Sequence, residues 1–341
     1  MTAEQYFALL FDIAGNARRS EKHFNFGMGH LTATYSSALL EKTLSRAMKH
    51  IEAIEPFGDS LEIRCMESVT TGIAIPPPVW SVNDFLDRDA IRGWEAGRFR
   101  AQYSVDRKVL QLMDCQLGLG LYWVKDGENI AWWEQTFPFR QLIHWWSATR
   151  PLQLIHAGAV GFESGGVLIA GPSGSGKSTS CLSCLNSSLF YAGDDYVLVD
   201  LAHEKPFVQS LYGTAKIVPD NLHRVHWLDE WITNKESLET QKAVVYVNEM
   251  PLSKMVQRMP IRAVVLPKVS GLKDSTLTPA SSMDAIKAIA PTCLFHLAGD
   301  SSQTMQKISR LTKAVPAYWL HAGTELEQIP MRITELIEEL S

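Results

Sequence analysis

The residues with the clearest chemistry are GPSGSGKST at 171–179, which carry the spacing G-x-x-x-x-G-K-[ST]. Glycines at these positions let the backbone turn its N–H groups inward, forming an anion nest at the start of the helix expected to follow. Lys177 is expected to reach the β- and γ-phosphates of a nucleotide, and Ser178 to place its hydroxyl on a bridging magnesium ion. Gly171, Ser173, Gly174, Ser175, Gly176, Lys177, Ser178 and Thr179 thus form the expected ATP-binding set, with Mg²⁺ as second cofactor. A glycine-rich loop without a ligand is the bland alternative. The apolar run GGVLIA before the loop supplies the strand that a working phosphate loop requires.

Asp194 and Asp195 follow seventeen positions after Lys177. That interval holds one helix, a tight turn and a strand, a short return typical of small kinases. One acid explains magnesium. A phosphoryl transferase gives the second acid a task of its own, accepting the proton of an attacking hydroxyl. Adjacent strand side chains point to opposite faces, so the two acids share a site only if the chain distorts near Gly193. A surface turn with two solvated acids is the alternative. Cys181-x-x-Cys184 lies within the expected helix and reads as a packed face, because no second cysteine pair at zinc spacing accompanies it. His223-x-x-His226 is likewise a weak metal signal.

Several elements must position these groups. LIHAGAVGF and GGVLIAG read as two strands joined at Glu163-Ser164-Gly165-Gly166, with a helix over about 177–186 and a strand through LFYAGDDYVLVD. Upstream, 35–55 carries apolar residues at helical spacing. SLEIRCMESV, RFRAQYSV, KVLQLMDCQ and LGLYWV read as short strands, DGEN as a turn, and FPFRQLIHWWSATR as a helix leading into the second half. The expectation is a helix with a small antiparallel sheet over 1–135 and a catalytic domain over 136–341. Seven of the ten tryptophans precede residue 150, and dense Trp in a β-rich module reads first as core.

Bulk properties narrow the partners. A net charge of −5 weighs against nucleic acid, which calls for a basic stripe. Five scattered cysteines suit a reducing compartment. No apolar run approaches a membrane span, and the acid-bearing N-terminus does not read as a signal peptide. The expectation is a cytoplasmic protein with no membrane or nucleic-acid partner; a homo-oligomer is compatible with it.

LIHAGAVGFESGGVLIAGPSGSGKST followed by YAGDDYVLV resembles the core of HPr kinase/phosphorylase, more specifically the HPr-kinase-related bacterial serine-kinase-like group. The Gly-Asp-Asp element is also similar to that of phosphoenolpyruvate carboxykinase. The resemblance continues through SLYGTAKIVPD, AVVYVNEMPLSKMV, IRAVVLP, APTCLFHLAGD and VPAYWLHAG, covering about 150–335 and none of the first 130 residues. It implies an α/β P-loop kinase core of that type; the residue patterns before it give a smaller α+β domain, for which substrate or partner recognition is the expectation. The resemblance also implies Asp195 as proton acceptor, Asp194 as a metal acid with Ser178, and His156 near the phosphates. Lys216, in YGTAK, is the candidate for a further cation there. A strand histidine is equally at home in a structural role, and Lys216 reads equally well as a surface lysine. Thr179 stands where bifunctional members carry Glu, and the glycine-rich segment tied to phosphorolysis has no clear counterpart. Both weigh against the reverse reaction, and the missing N-terminal match weighs against HPr as substrate.

The leading expectation is an ATP-dependent kinase acting on a serine-like hydroxyl of a peptide, protein or small molecule. A small-molecule kinase of the shikimate or nucleotide-kinase type is one alternative, though its Asp-x-Asp pattern and arginine-rich lid are not found. A nucleotide-dependent switch or ATPase without an acceptor is the other, and it leaves the second aspartate unexplained.

Overall fold

The first residues build a helix, α1 (Ala3–Asn16), that is not among the elements expected from the sequence. Thr2 and Gln5 form a reciprocal cap, with the Gln5 N–H donating to Thr2 Oγ1 at 3.2 Å and the Thr2 N–H to Gln5 Oε1 at 2.9 Å. Tyr6, Phe7, Leu10, Phe11 and Ala14 then fall on one stripe and are buried.

The computed structural model describes residues 1–27, 29–251 and 254–341; Leu252 and Ser253, inside the AVVYVNEMPLSKMV segment, lie outside the described residues. Two units emerge, Met1–Arg150 with Leu294–Ser301, and Pro151–Cys293 with Ser302–Ser341.

In the first unit α1 covers a sheet of β1 (Ser20–Phe26), β2 (Gly29–Tyr35), β3 (Glu52–Ala53), β4 (Asp59–Glu67), β5 (Phe99–Ser104), β6 (Val109–Asp114) and β7 (Leu119–Val124). Their order is β3-β1-β2-β4-β7-β6-β5. The β2–β4 and β4–β7 pairs are parallel, so the sheet is mixed rather than the expected antiparallel one. The crossover from β2 to β4 is made by α2 (Ala38–Ser45) and a 3-10 stretch over Arg46–Ile51, which together replace the single helix expected over 35–55. Short helices α3 (Ser68–Thr71) and α4 (Trp132–Thr136) precede α5 (Arg140–Ala148). Trp123, Trp145 and Trp146 are fully buried, the core role expected of them.

Helix α5 belongs to this unit, which moves the boundary from the expected 135/136 to 150/151. The physical reason is Trp146: its Nε1 donates to the Ser60 carbonyl at 3.0 Å, and its ring meets Phe26 edge-on at 5.6 Å. Residues 294–301 complete the unit. Arg88 Nη1 donates to the carbonyls of Leu294 (2.7 Å) and Leu297 (2.8 Å). Gln141 Nε2 and Trp145 Nε1 both donate to the Ala298 carbonyl, at 2.8 and 2.7 Å.

The second unit is built on a nine-stranded mixed sheet among the described residues. Its strands are β8 (Leu152–Ile155), β9 (Gly158–Phe162), β10 (Gly165–Ile169), β11 (Phe190–Gly193), β12 (Val197–Asp200), β13 (Phe207–Gln209), β16 (Arg258–Val269), β17 (Thr276–Ala280) and β18 (Ala317–Ala322); β14 (Thr214–Ile217) and β15 (Ala243–Tyr246) form a separate ribbon. The order runs β11-β9-β10-β16-β13-β12-β8, with β18 parallel to β16 and β17 on its outer edge. Helix α6 (Lys177–Ser183), continued by a 3-10 turn to Asn186, links β10 to β11 as expected; α7 (Ser282–His296) up to Cys293, α8 (Ser301–Ala314) from Ser302 and α9 (Gln328–Glu339) complete the unit. Ile329, Ile333, Leu336 and Ile337 of α9 recur at helical spacing and join Leu182, Ile169 and Val265 in the core. Full burial stabilises each such aliphatic side chain by roughly 1.5–3 kcal/mol. The fold is therefore mixed α/β.

Candidate active site

LIHAGAVGF is two strands rather than one. β8 ends at Ile155 and β9 begins at Gly158, and the chain breaks at His156-Ala157. His156, expected on a strand, sits in that break. The paired segment breaks at the same level: β11 ends at Gly193, β12 begins at Val197, and Asp194-Asp195-Tyr196 lie between them. The last pairs flanking the two breaks are Val197↔Ile155 on one side and Gly193↔Ala159 on the other. A register shift between Tyr191 and Gly193 supplies the distortion that the adjacent acids need. Freed from strand alternation, both carboxylates turn inward, Asp194 1% and Asp195 8% exposed.

Asp195 is gripped from two sides. His156 Nε2 lies 3.0 Å from Oδ1, and Lys216 Nζ lies 2.6 Å from Oδ2. Lys216 comes from β14, whose position is fixed by the Tyr191 hydroxyl donating to the Thr214 carbonyl at 2.9 Å. Burial alone would raise the Asp195 pKa, but the Lys216 ammonium and the His156 hydrogen bond outweigh it and hold the carboxyl far below its usual range. Asp194 goes the other way. Burial, reinforced by the Asp195 charge, lifts it to about 7, against the Lys216 backbone N–H at 3.4 Å, the Ser178 hydroxyl and the Lys177 charge. The two adjacent carboxyls are therefore pushed in opposite directions, Asp195 down by Lys216 and His156 and Asp194 up by burial and the Asp195 charge.

The glycine-rich loop at 171–178 borders this pair, with Ser178 and Lys177 acting on Asp194. Gly174 and Gly176 adopt φ of +79° and +101°, the left-handed region that glycine enters without strain. Lys177 is buried, and its Nζ donates to the carbonyls of Gly171 (2.8 Å) and Pro172 (3.1 Å). Burial lowers its pKa while Asp194 and Asp195 raise it. Ser173 and Gly174 are exposed at the tip, and Thr179 is half-buried on the first turn of α6. Neither Ser173 nor Thr179 makes a side-chain hydrogen bond among the described residues. The structure thus brings His156, Lys177, Ser178, Asp194, Asp195 and Lys216 together. Asp194 Oδ1 and Ser175 Oγ are buried without a hydrogen-bond partner. A buried carboxylate oxygen without a donor, beside a serine hydroxyl, is what a divalent cation requires of its ligands, so the residues fit magnesium.

Tyr196 was missed by sequence reasoning. Its ring packs on His156 at 5.1 Å between centroids and limits how the imidazole can turn. An aromatic directly after paired acids was the available signal. Cys181 and Cys184 are core residues whose thiols burial pushes up, Cys184 to about 12. Among the described residues no cluster of three or more His, Cys, Asp or Glu could hold a metal, so His223 and His226 remain without such a set. No helix among the described residues is long and apolar enough to cross a membrane.

No family model and no curated protein matches the chain. Among solved structures, the Hpr(Ser) kinase/phosphatase from Coxiella burnetii is similar at 12% sequence identity over 55% of this chain and 95% of that one, with a TM-score of 0.30. A likeness this distant has no bearing on the chemistry of the site.

Proposed function

We propose that this protein is an ATP-dependent kinase that transfers the γ-phosphoryl group to a serine-like hydroxyl of a peptide, protein or small molecule. The observation that carries this reading is the pair itself: a buried Asp195 clamped by His156 and Lys216, next in sequence to a buried Asp194 whose Oδ1 has no hydrogen-bond partner. An ATPase switch needs only the metal acid. An ionised carboxylate fixed at the mouth of a phosphate loop is suited to a second substrate.

Ser178 and Asp194 would hold magnesium, which when bound supplies charge neutralisation to the β- and γ-phosphates. The loop N–H groups and Lys177 would bind the phosphates, the lysine exchanging its own loop carbonyls for them. Asp195 would accept a hydrogen bond from the acceptor hydroxyl and orient its oxygen toward the γ-phosphorus. As that O–P bond forms and the bond to the β-phosphate oxygen breaks, the hydroxyl proton passes to Asp195 and ADP departs. A weakly basic carboxylate suffices, because in a loose transition state the hydroxyl becomes acidic only late. His156 and Lys216 hold the carboxylate in place throughout.

The test is Asp195→Asn, which keeps the shape and loses the proton acceptor. MgATP affinity should stay within a few-fold while transfer to serine, seryl peptides or polyols, read by mass spectrometry, falls roughly 10²- to 10⁴-fold. Transfer at the wild-type rate refutes the role of Asp195. Hydrolysis that no acceptor diverts, equal in wild type and variant, makes the protein a switch.

A further inference from the structure

The phosphate loop has two flanks, and they differ. β10 lies between β9 and β16, and the acids follow β11 on the β9 side. If the γ-phosphate faces Asp195, as proposed above and as this inference assumes, the ribose and base must extend over the opposite flank. That flank is the end of β16 and the loop after it. A Cβ on Gly171 would lie 3.9 Å from Pro267 Cδ, and one on Gly176 would lie 3.7 Å from Val269 Cγ2, so β16 runs against the phosphate loop.

Two aliphatic side chains stand in solvent here, Val269 at 53% and Leu272 at 69% exposure. A lone exposed aliphatic needs no explanation. These two sit on a segment fastened by its backbone. The Ser270 N–H donates to the Ala322 carbonyl (3.0 Å), the Thr324 N–H to Leu272 (2.9 Å) and the Glu325 N–H to Lys273 (3.2 Å), while the Leu272 N–H donates to Ser270 Oγ (3.1 Å). A loop tied at four points loses little entropy when a ligand covers it. Exposed Lys268 and Lys273 flank the two apolar residues, giving the rim the sign that suits a polyphosphate.

We infer that Val269 and Leu272 form the platform on which the nucleobase of the bound triphosphate packs its flat face. The tied backbone groups of Ser270, Leu272 and Lys273 are already hydrogen-bonded within the protein and do not read the edges of the base. Recognition is by contact area, so ATP and GTP bind within about ten-fold of each other, since strong discrimination needs buried hydrogen-bonding groups aimed at the ligand.

The experiment is calorimetric titration of the full chain with MgATP and with inorganic tripolyphosphate plus magnesium. Leu272→Ser and Val269→Ser lie on the surface and leave the core intact. Losing about half of a leucine's burial weakens ATP roughly ten-fold and leaves tripolyphosphate affinity unchanged, which also reports an intact loop. Leu272→Trp enlarges the platform and tightens ATP alone. Unchanged ATP affinity in both serine variants overturns the platform. An equal loss for both ligands overturns it too, because the segment would then be acting on the phosphates. Wild type that binds neither ligand instead defeats the phosphate-loop reading on which the platform depends.

Discussion

Adjacent carboxylates differing by one position should respond to the same substitution with opposite signs. Asp194 is moved from 3.8 to about 7 in the folded protein, roughly three units and so roughly 4 kcal/mol at 1.36 per unit. Its folded pKa is raised, so between those values the native state holds a proton that the unfolded chain has released. Stability of the metal-free protein therefore falls as pH rises through that window, and above it the whole cost of the buried charge is present. Asp194→Asn removes the charge in a similar shape. In EDTA at about pH 8 the variant should be more stable than wild type by up to about 4 kcal/mol, and the gap should shrink as pH falls toward about 4. Asp195→Asn removes the carboxylate that lies 2.6 Å from the buried Lys216 ammonium, and breaking a buried pair from one side costs about 3–5 kcal/mol. Urea titrations of the three proteins at several pH values read both effects. Millimolar magnesium should restore wild type and do nothing for Asp194→Asn. An Asp194→Asn protein less stable than wild type at about pH 8, or a gap that does not change with pH, refutes the reasoning.

Lys177→Ala removes the cation expected on the β/γ-phosphates, and should weaken MgATP binding or transfer by at least about ten-fold in calorimetry and turnover. In activity assays Asp194→Asn should raise the magnesium concentration needed for half-maximal rate, without the collapse expected of Asp195→Asn. Gly158→Ala should destabilise by about 1–3 kcal/mol, because its Cβ would collide with Cys181 Sγ and press on the Asp194 carbonyl; thermal melts check this. All five cysteines are buried free thiols, so a thiol-reactive dye should label five sites in denaturant and react slowly with the native protein.

The strand, glycine-rich loop and helix at 165–183 were legible because their signal is local: glycines at 171, 174 and 176 followed by Lys177-Ser178, entered from an apolar strand. The acids were legible for the same reason, and so was the need for a distortion near Gly193. How His156 and Lys216 meet Asp195 was not. They lie 39 and 21 positions away; His156 meets Asp195 because two paired strands break at one level, and Lys216 arrives from the separate β14 ribbon, which no window of sequence displays. In the first unit, alternation in β4 and β7 marks strands but carries no sign of direction, so this parallel pair is expected as antiparallel, and β1 and β2 (Ser20–Phe26, Gly29–Tyr35) are not among the strands expected from the sequence. Helix α1 was available, through Thr2, Gln5 and the Tyr6–Ala14 stripe, in residues considered only as a targeting segment. Nothing in LFHLAGDS marks it as belonging with the first 150 residues.

That last placement has a consequence during synthesis. Domains usually fold as they leave the ribosome, N-terminal first. Here the first unit waits for residues 294–301, because until they emerge the Arg88 guanidinium, the Gln141 amide and the Trp145 indole lack the carbonyls they bind in the finished protein. Nearly nine-tenths of the chain must be made before the opening domain can close. A nascent chain stalled near residue 200 should therefore expose a unit that proteases cut readily, and the same stall beyond about residue 340 should not. A gene fragment ending at Arg150 encodes an unfinished domain rather than a small one.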